Sequence, residues 1–249
     1  MRCKNWLILA ISAALLGAPV LPAQATGEPP AGSLEKIGRV HFPISCSPQA
    51  QSQFDRAVAL LHSFWFEAAR EAFAGVIKTD PTCAMGHWGT AMTLLGNPLA
   101  WPPATKALAD GWAAVQKADL LDAKTQRERD YIAAIGVFYR DFDKLDHRTR
   151  AVAYEKAMEQ LAARYPEDRE AAVFYALALN ATALPTDKTY AQQLKAAAIL
   201  EQVFAEQPEH PGVAHYLIHS YDYPPLAKRG LPAARRYASI APAAPHALH

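Results

Sequence analysis

The chain carries nine histidines, and the spacing of four of them is the first sign of chemistry. In the run His215-Tyr-Leu-Ile-His219 two imidazoles stand four residues apart. On a helix that spacing stacks both rings on one face, about 6 Å apart, close enough to share one metal ion. His246 and His249 stand three apart, which also places them on one helical face. Asp222 offers a carboxylate, either as a further ligand or as the partner that fixes an imidazole tautomer. Imidazoles with a carboxylate suit several transition metals, and ligand type alone does not choose among them. The cofactor expected from this set is a transition metal, zinc or copper.

Other reaction chemistries lack their signatures. A zincin-type hydrolase needs a Glu directly after the first His as general base, whereas Tyr216 follows His215. Glu209 adjoins His210 but falls outside that helical turn. There is no Gly-x-Ser-x-Gly elbow and no glycine-rich phosphate loop. The sequence therefore assigns no catalytic residue. His62 and His87, each close to a tryptophan in Trp65 and Trp88, read as histidines packed against aromatic rings.

These residues sit in a chain of 249, with 51% hydrophobic and 20% charged residues and a formal charge of +1. That is a globular composition, and a charge so balanced argues against nucleic acid as a partner. Met1 to Ala25 has a basic start in Arg2 and Lys4, an apolar run from Trp6 to Leu16 and an Ala23-Gln-Ala25 ending. It reads as a secretory signal, too short to span a bilayer, and leaves no membrane anchor after cleavage. The mature protein is expected to be exported, periplasmic or extracellular. There, Cys46 and Cys83 are permitted to form a disulfide, provided their Cα atoms lie within about 7 Å.

Residues 26–49 read as a disordered or extended lead-in, rich in Pro and Gly at its start. From residue 50 to 249 the pattern is helical. Ala69, Phe73, Val76 and Ile77 make one apolar stripe, and Tyr154, Met158, Leu161 and Tyr165 another. No period-2 run of β-branched residues occurs, so the fold class is all-α. Amphipathic stretches end at Pro81, Pro166, Pro208 and Pro242, each a residue that cannot continue a helix. The last two stand 34 residues apart, the tetratricopeptide period.

The stretch Ala57-x2-Leu60 with Phe66-x2-Ala69-x3-Phe73-x2-Val76-x4-Pro81 resembles the tetratricopeptide repeat (TPR) family. The chain is also similar to a group of exported bacterial repeat proteins, through Leu60-Leu-His-Ser-Phe-Trp65 and Cys83-Ala-Met-Gly-His-Trp-Gly89. The resemblance implies an α-solenoid of helix pairs, a right-handed superhelix whose first helices line a concave groove. It places Trp88 and Met92 in that groove, then Glu170, and at the far end His215, His219, Asp222 and Tyr223, with His246 and His249 on the next helix.

Two functions follow as expectations. The first is a binding module whose groove takes a protein or peptide segment, with Trp88, Met92 and Tyr223 as contacts. The second is a metal-binding protein or metalloenzyme built on His215, His219, Asp222, His246 and His249. The helix opening at Pro245 meets the chain end before it finds a partner, so the repeat domain is expected to be truncated at its C-terminus.

Overall fold

The protein is described here by a computed structural model covering residues 36–100 and 102–248. The signal segment 1–25, residues 26–35 of the lead-in and His249 lie outside the described residues. Ten α-helices follow one another, with no strand among the described residues: α1 (Pro48–His62), α2 (Phe66–Thr79), α3 (Ala84–Leu94), α4 (Thr105–Leu120), α5 (Gln126–Tyr139), α6 (His147–Arg164), α7 (Arg169–Thr182), α8 (Ala191–Glu206), α9 (Pro211–Tyr221) and α10 (Ala227–Ile240). Short 3-10 turns occupy Pro98–Ala100 and Pro245–Leu248. No described helix is long and apolar enough to cross a membrane.

The prolines do what their chemistry requires. Helices α2, α6, α8 and α10 each stop two residues before one, at Thr79, Arg164, Glu206 and Ile240. The intervening Asp80, Tyr165, Gln207 and Ala241 all leave helical geometry, with φ between −122° and −137° and positive ψ. Proline Cδ crowds the preceding residue out of the α region and so fixes the boundary.

Every helix packs on the next, but the two members of each pair differ in what they bury. Helix α7 buries eleven of its fourteen residues and α9 nine of eleven, against three of fourteen in α2 and four of fourteen in α10. Helices apolar nearly all round belong inside, and amphipathic ones outside. The odd-numbered helices thus form an inner layer. Helix α1 packs on α3 and also on α9, a contact that strict nearest-neighbour stacking of repeats does not make.

The inner layer corrects one expectation. Trp88 and Met92 are 1% and 4% exposed and present no surface to a partner. The Trp88 ring lies against Phe42, Tyr131 and Phe174, at centroid distances of 5.4, 5.8 and 5.6 Å. Repeat periodicity names the inward face of a helix, but here aromatic rings from four other segments, Phe54 of α1 being the fourth, fill the space that face meets.

Phe42 belongs to the expected lead-in, yet it is fully buried. The backbone around it is satisfied by side chains: Phe42 N donates to Asp55 Oδ1, Ile44 N to Gln51 Oε1, Ser45 N to Glu128 Oε1 and Ser47 N to Asp80 Oδ2. Residues 36–47 are therefore extended chain belonging to the same core, and the first helix opens at Pro48 with Ser47 as its cap.

The Cys46–Cys83 disulfide staples this segment to the start of α3, with Cα atoms 5.3 Å apart and a sequence separation of 37. Closing a loop of that length removes roughly 4 kcal/mol of chain entropy from the unfolded state. Replacing both cysteines by serine is expected to lower unfolding free energy by about 3–4 kcal/mol in a denaturant titration. Unchanged stability would show that the bridge contributes no net constraint on the unfolded chain.

Candidate metal centre

The site begins at the end of α1. A helix leaves its last carbonyls without intrahelical partners, and here the chain turns away through Phe64, which adopts φ 53°. That left-handed conformation is usual for glycine at a helix end and costs a phenylalanine roughly 1–2 kcal/mol. The turn closes with Phe64 N donating to Leu61 O and Trp65 N to Leu60 O. The carbonyl of His62 stays available and accepts from His215 Nδ1 at 2.6 Å.

Helix α9 supplies the other side. His210 caps it, with Nδ1 accepting from Val213 N at 3.2 Å, and Pro211 follows at the first helical position, where its missing N–H costs nothing. A Cβ on Gly212 would lie 2.6 Å from the His62 ring, so only glycine lets α9 come this close. One turn on, His215 and His219 face the end of α1.

Because His215 Nδ1 carries the proton given to a carbonyl, its Nε2 presents a lone pair. That lone pair points at His219 Nε2, 3.0 Å away. His246, from the Pro245–Leu248 turn, brings its ring centroid to 4.7 Å from His215 and 5.8 Å from His219. One ligand nitrogen from each of the three lies within 4.8 Å of the others. Phe64 and Tyr237 flank His215 at 4.4 and 5.2 Å, the tyrosine stacked at 10°.

Burial, and then the neighbouring His219, hold the His215 imidazole well below its ordinary pKa. Burial followed by His246 lowers His219 to about 4, against an opposing pull from Asp222. Both rings are neutral at neutral pH, which is the form that binds metal.

A second group lies behind the first. Glu170, 3% exposed at the start of α7, receives His62 Nε2 on Oε2 and His210 Nε2 on Oε1, both at 2.8 Å. The Tyr216 hydroxyl meets His62 Nδ1 at 3.0 Å. Burial would raise the Glu170 carboxyl, but the two imidazoles outweigh it and hold the group well below the usual carboxylate range. Burial likewise lowers His62, against the pull of Glu170.

The ring nitrogens separate the two groups chemically. His210 Nδ1 already accepts a backbone N–H, so the proton of the neutral ring sits on Nε2 and points at Glu170. Such a nitrogen has no lone pair for a metal ion. His215 has the reverse arrangement, an Nδ1–H on a carbonyl and a bare Nε2, the common state of a metal-ligating histidine.

Of the residues marked in the sequence, the structure brings together His215, His219 and His246. His246 comes from a single 3-10 turn rather than the full helix expected. Asp222 is exposed at the end of α9; it stands outside the nitrogen cluster and acts on His219 through its charge. Tyr223 is half-buried, accepting from Gln193 Nε2 and packing on Tyr190. No local sequence pattern groups His62, Glu170 and His210. Two local features mark the last two: Glu170 is the acid directly before the apolar run Ala171 to Leu179, and His210 stands between Pro208 and Pro211.

No family model, no curated protein and no solved structure matches the chain, so the site stands on its residues alone.

The lowered imidazoles fix the sign of a pH effect. An unfolded chain takes up protons on these histidines below about 6.5, while folded His219 resists until about 4. The unfolded state then binds more protons, and stability falls as pH falls through that window. Metal-free protein is expected to lose stability between pH 6.5 and 4, and His219→Gln to flatten the slope. A flat profile in the unsubstituted protein would contradict the buried neutral assignment.

Proposed function

We infer that the protein binds one transition-metal ion, zinc or copper, through His215, His219 and His246, as an exported protein on a TPR-like scaffold of helix pairs. The observation that carries this reading is the direction of His215. Its Nδ1–H is tied to the His62 carbonyl, and its Nε2 lone pair is aimed into a group of imidazole nitrogens. In the metal-free state His219 Nε2–H occupies that lone pair. An ion would be held by these nitrogens at about 2.0–2.1 Å; His219 would carry its one proton on Nδ1 instead of Nε2, so that its ring stays neutral and both Nε2 lone pairs are free to bind.

Two further features support it. All three ligands are imidazoles, which suit zinc and copper, and the two whose pKa is displaced are held neutral, so binding pays no deprotonation cost near neutral pH. The Cys46–Cys83 bridge fits the oxidising compartment to which the N-terminal segment points. Capture of a protein or peptide segment would have to use contacts other than the buried Trp88 and Met92.

The test is elemental analysis of protein recovered from the export compartment, followed by titration of chelator-stripped protein with zinc and copper. Near-stoichiometric metal is expected. Saturation at 100 times the dissociation constant should add about 2.7 kcal/mol to stability. His215→Ala with His219→Ala should abolish both effects. Stripped protein that takes up neither ion would end the reading.

A further inference from the structure

The hydrogen bonds behind the metal centre converge on one residue, and we propose that Glu170 is a positioning residue for the metal ion: through His62 and His210 it sets the direction of the His215 ligand. The inference rests on the metal-binding reading above.

The two carboxylate oxygens of Glu170 serve two different helices. Oε2 holds His62, the last residue of α1, and Oε1 holds His210, the cap of α9. One rigid carboxylate from α7 thereby fixes the gap between the end of α1 and the start of α9. That gap is the one His215 spans when its Nδ1–H reaches the His62 carbonyl.

The His62 ring has no freedom to drift. Tyr216 holds its Nδ1, Phe174 stacks on it at 4.7 Å and 28°, and Gly212 leaves no side chain between ring and helix. With the ring fixed, the backbone carbonyl of the same residue is fixed too, and the carbonyl fixes the tautomer and angle of His215. Partners that orient a ligand from behind in this way change metal affinity by about 10–100-fold when removed.

The chemistry of the pair also says which substitutions matter. Leucine in place of Glu170 leaves two buried Nε2–H donors without an acceptor. Glutamine does not, because its oxygen still accepts from His210, while its amide N–H can donate to His62 Nε2. His62 then shifts its proton to Nδ1 and donates it to the Tyr216 hydroxyl, which accepts as readily as it donates. Glutamine therefore restores the geometry as long as Tyr216 keeps its hydroxyl.

The experiment is titration of chelator-stripped full-length protein with cobalt(II), reading affinity and visible absorption together. Glu170→Leu is expected to weaken binding by about 10–100-fold and to change the absorption bands. Glu170→Gln should stay close to the unsubstituted protein in both. The Cys46→Ser, Cys83→Ser variant loses stability far from the cluster and should bind as the unsubstituted protein does, which separates positioning from general destabilisation.

If Glu170→Leu fails to fold, Glu170→Gln combined with Tyr216→Phe takes its place, with binding expected to be weaker than in either single variant. Unchanged affinity and spectrum in Glu170→Leu, or in that double variant, would overturn the inference while leaving metal binding intact. Loss of affinity in the disulfide variant equal to that in Glu170→Leu would overturn it as well. Absence of cobalt uptake by the unsubstituted protein would sink the metal reading itself.

Discussion

An ionised carboxylate inside a helical core is expensive, because its desolvation costs several kcal/mol unless donors replace the lost water. At Glu170 two imidazole N–H groups do so, one on each oxygen, and much of the inner layer follows from that exchange. The donors come from the end of α1 and the start of α9, so the charge is tolerable only when these helices meet. Their meeting is the contact that departs from simple stacking of neighbours. A chain of helix pairs would otherwise leave α1 and α9 apart, with the end of α1 facing solvent and its last carbonyls turned to water.

One cluster holds three imidazoles and the other two imidazoles with a carboxylate, and what His210 and His215 offer to each is set by the partner of the second ring nitrogen. In His210 that partner is a backbone N–H, so the nitrogen turned to the cluster is a donor and suits a carboxylate. In His215 it is a backbone carbonyl, so the nitrogen turned to the cluster is a lone pair and suits a cation. The backbone at two helix termini thus writes the difference. The N-terminus of α9 offers N–H groups, the C-terminus of α1 offers carbonyls, and each histidine takes its tautomer from the terminus it touches.

What could be read from the sequence was what is local. Helix ends at Thr79, Arg164, Glu206 and Ile240 follow from a proline two residues on, and the His215–His219 pair follows from helical pitch. The Cys46–Cys83 pair was legible as a possibility because only two cysteines remain after the signal segment. His62, Glu170 and His210 were not legible as a group, since 108 residues separate His62 from Glu170 and 40 separate Glu170 from His210. No periodicity links them; only the approach of α1 to α9 does. Trp88 and Met92 show the converse. Repeat spacing names the face they lie on, but what that face packs against is decided by Phe42, Tyr131 and Phe174, residues from other segments that no local pattern ties to it.

The bond between His62 and His215 spans 153 residues. Loop closure over such a distance comes late in folding, after the local helix pairs have formed. A chain emerging from its N-terminus therefore carries His62 long before it has anything to meet. His215, His219 and His246 come from α9 and the turn that follows α10, and the carbonyl that orients His215 comes from α1, so the cluster has its geometry only where both ends of the inner layer are in place. A chain that has made only its first helix pairs holds His62 with its carbonyl unmet and none of the three clustered imidazoles, so this corner of the molecule is the product of its two most distant parts.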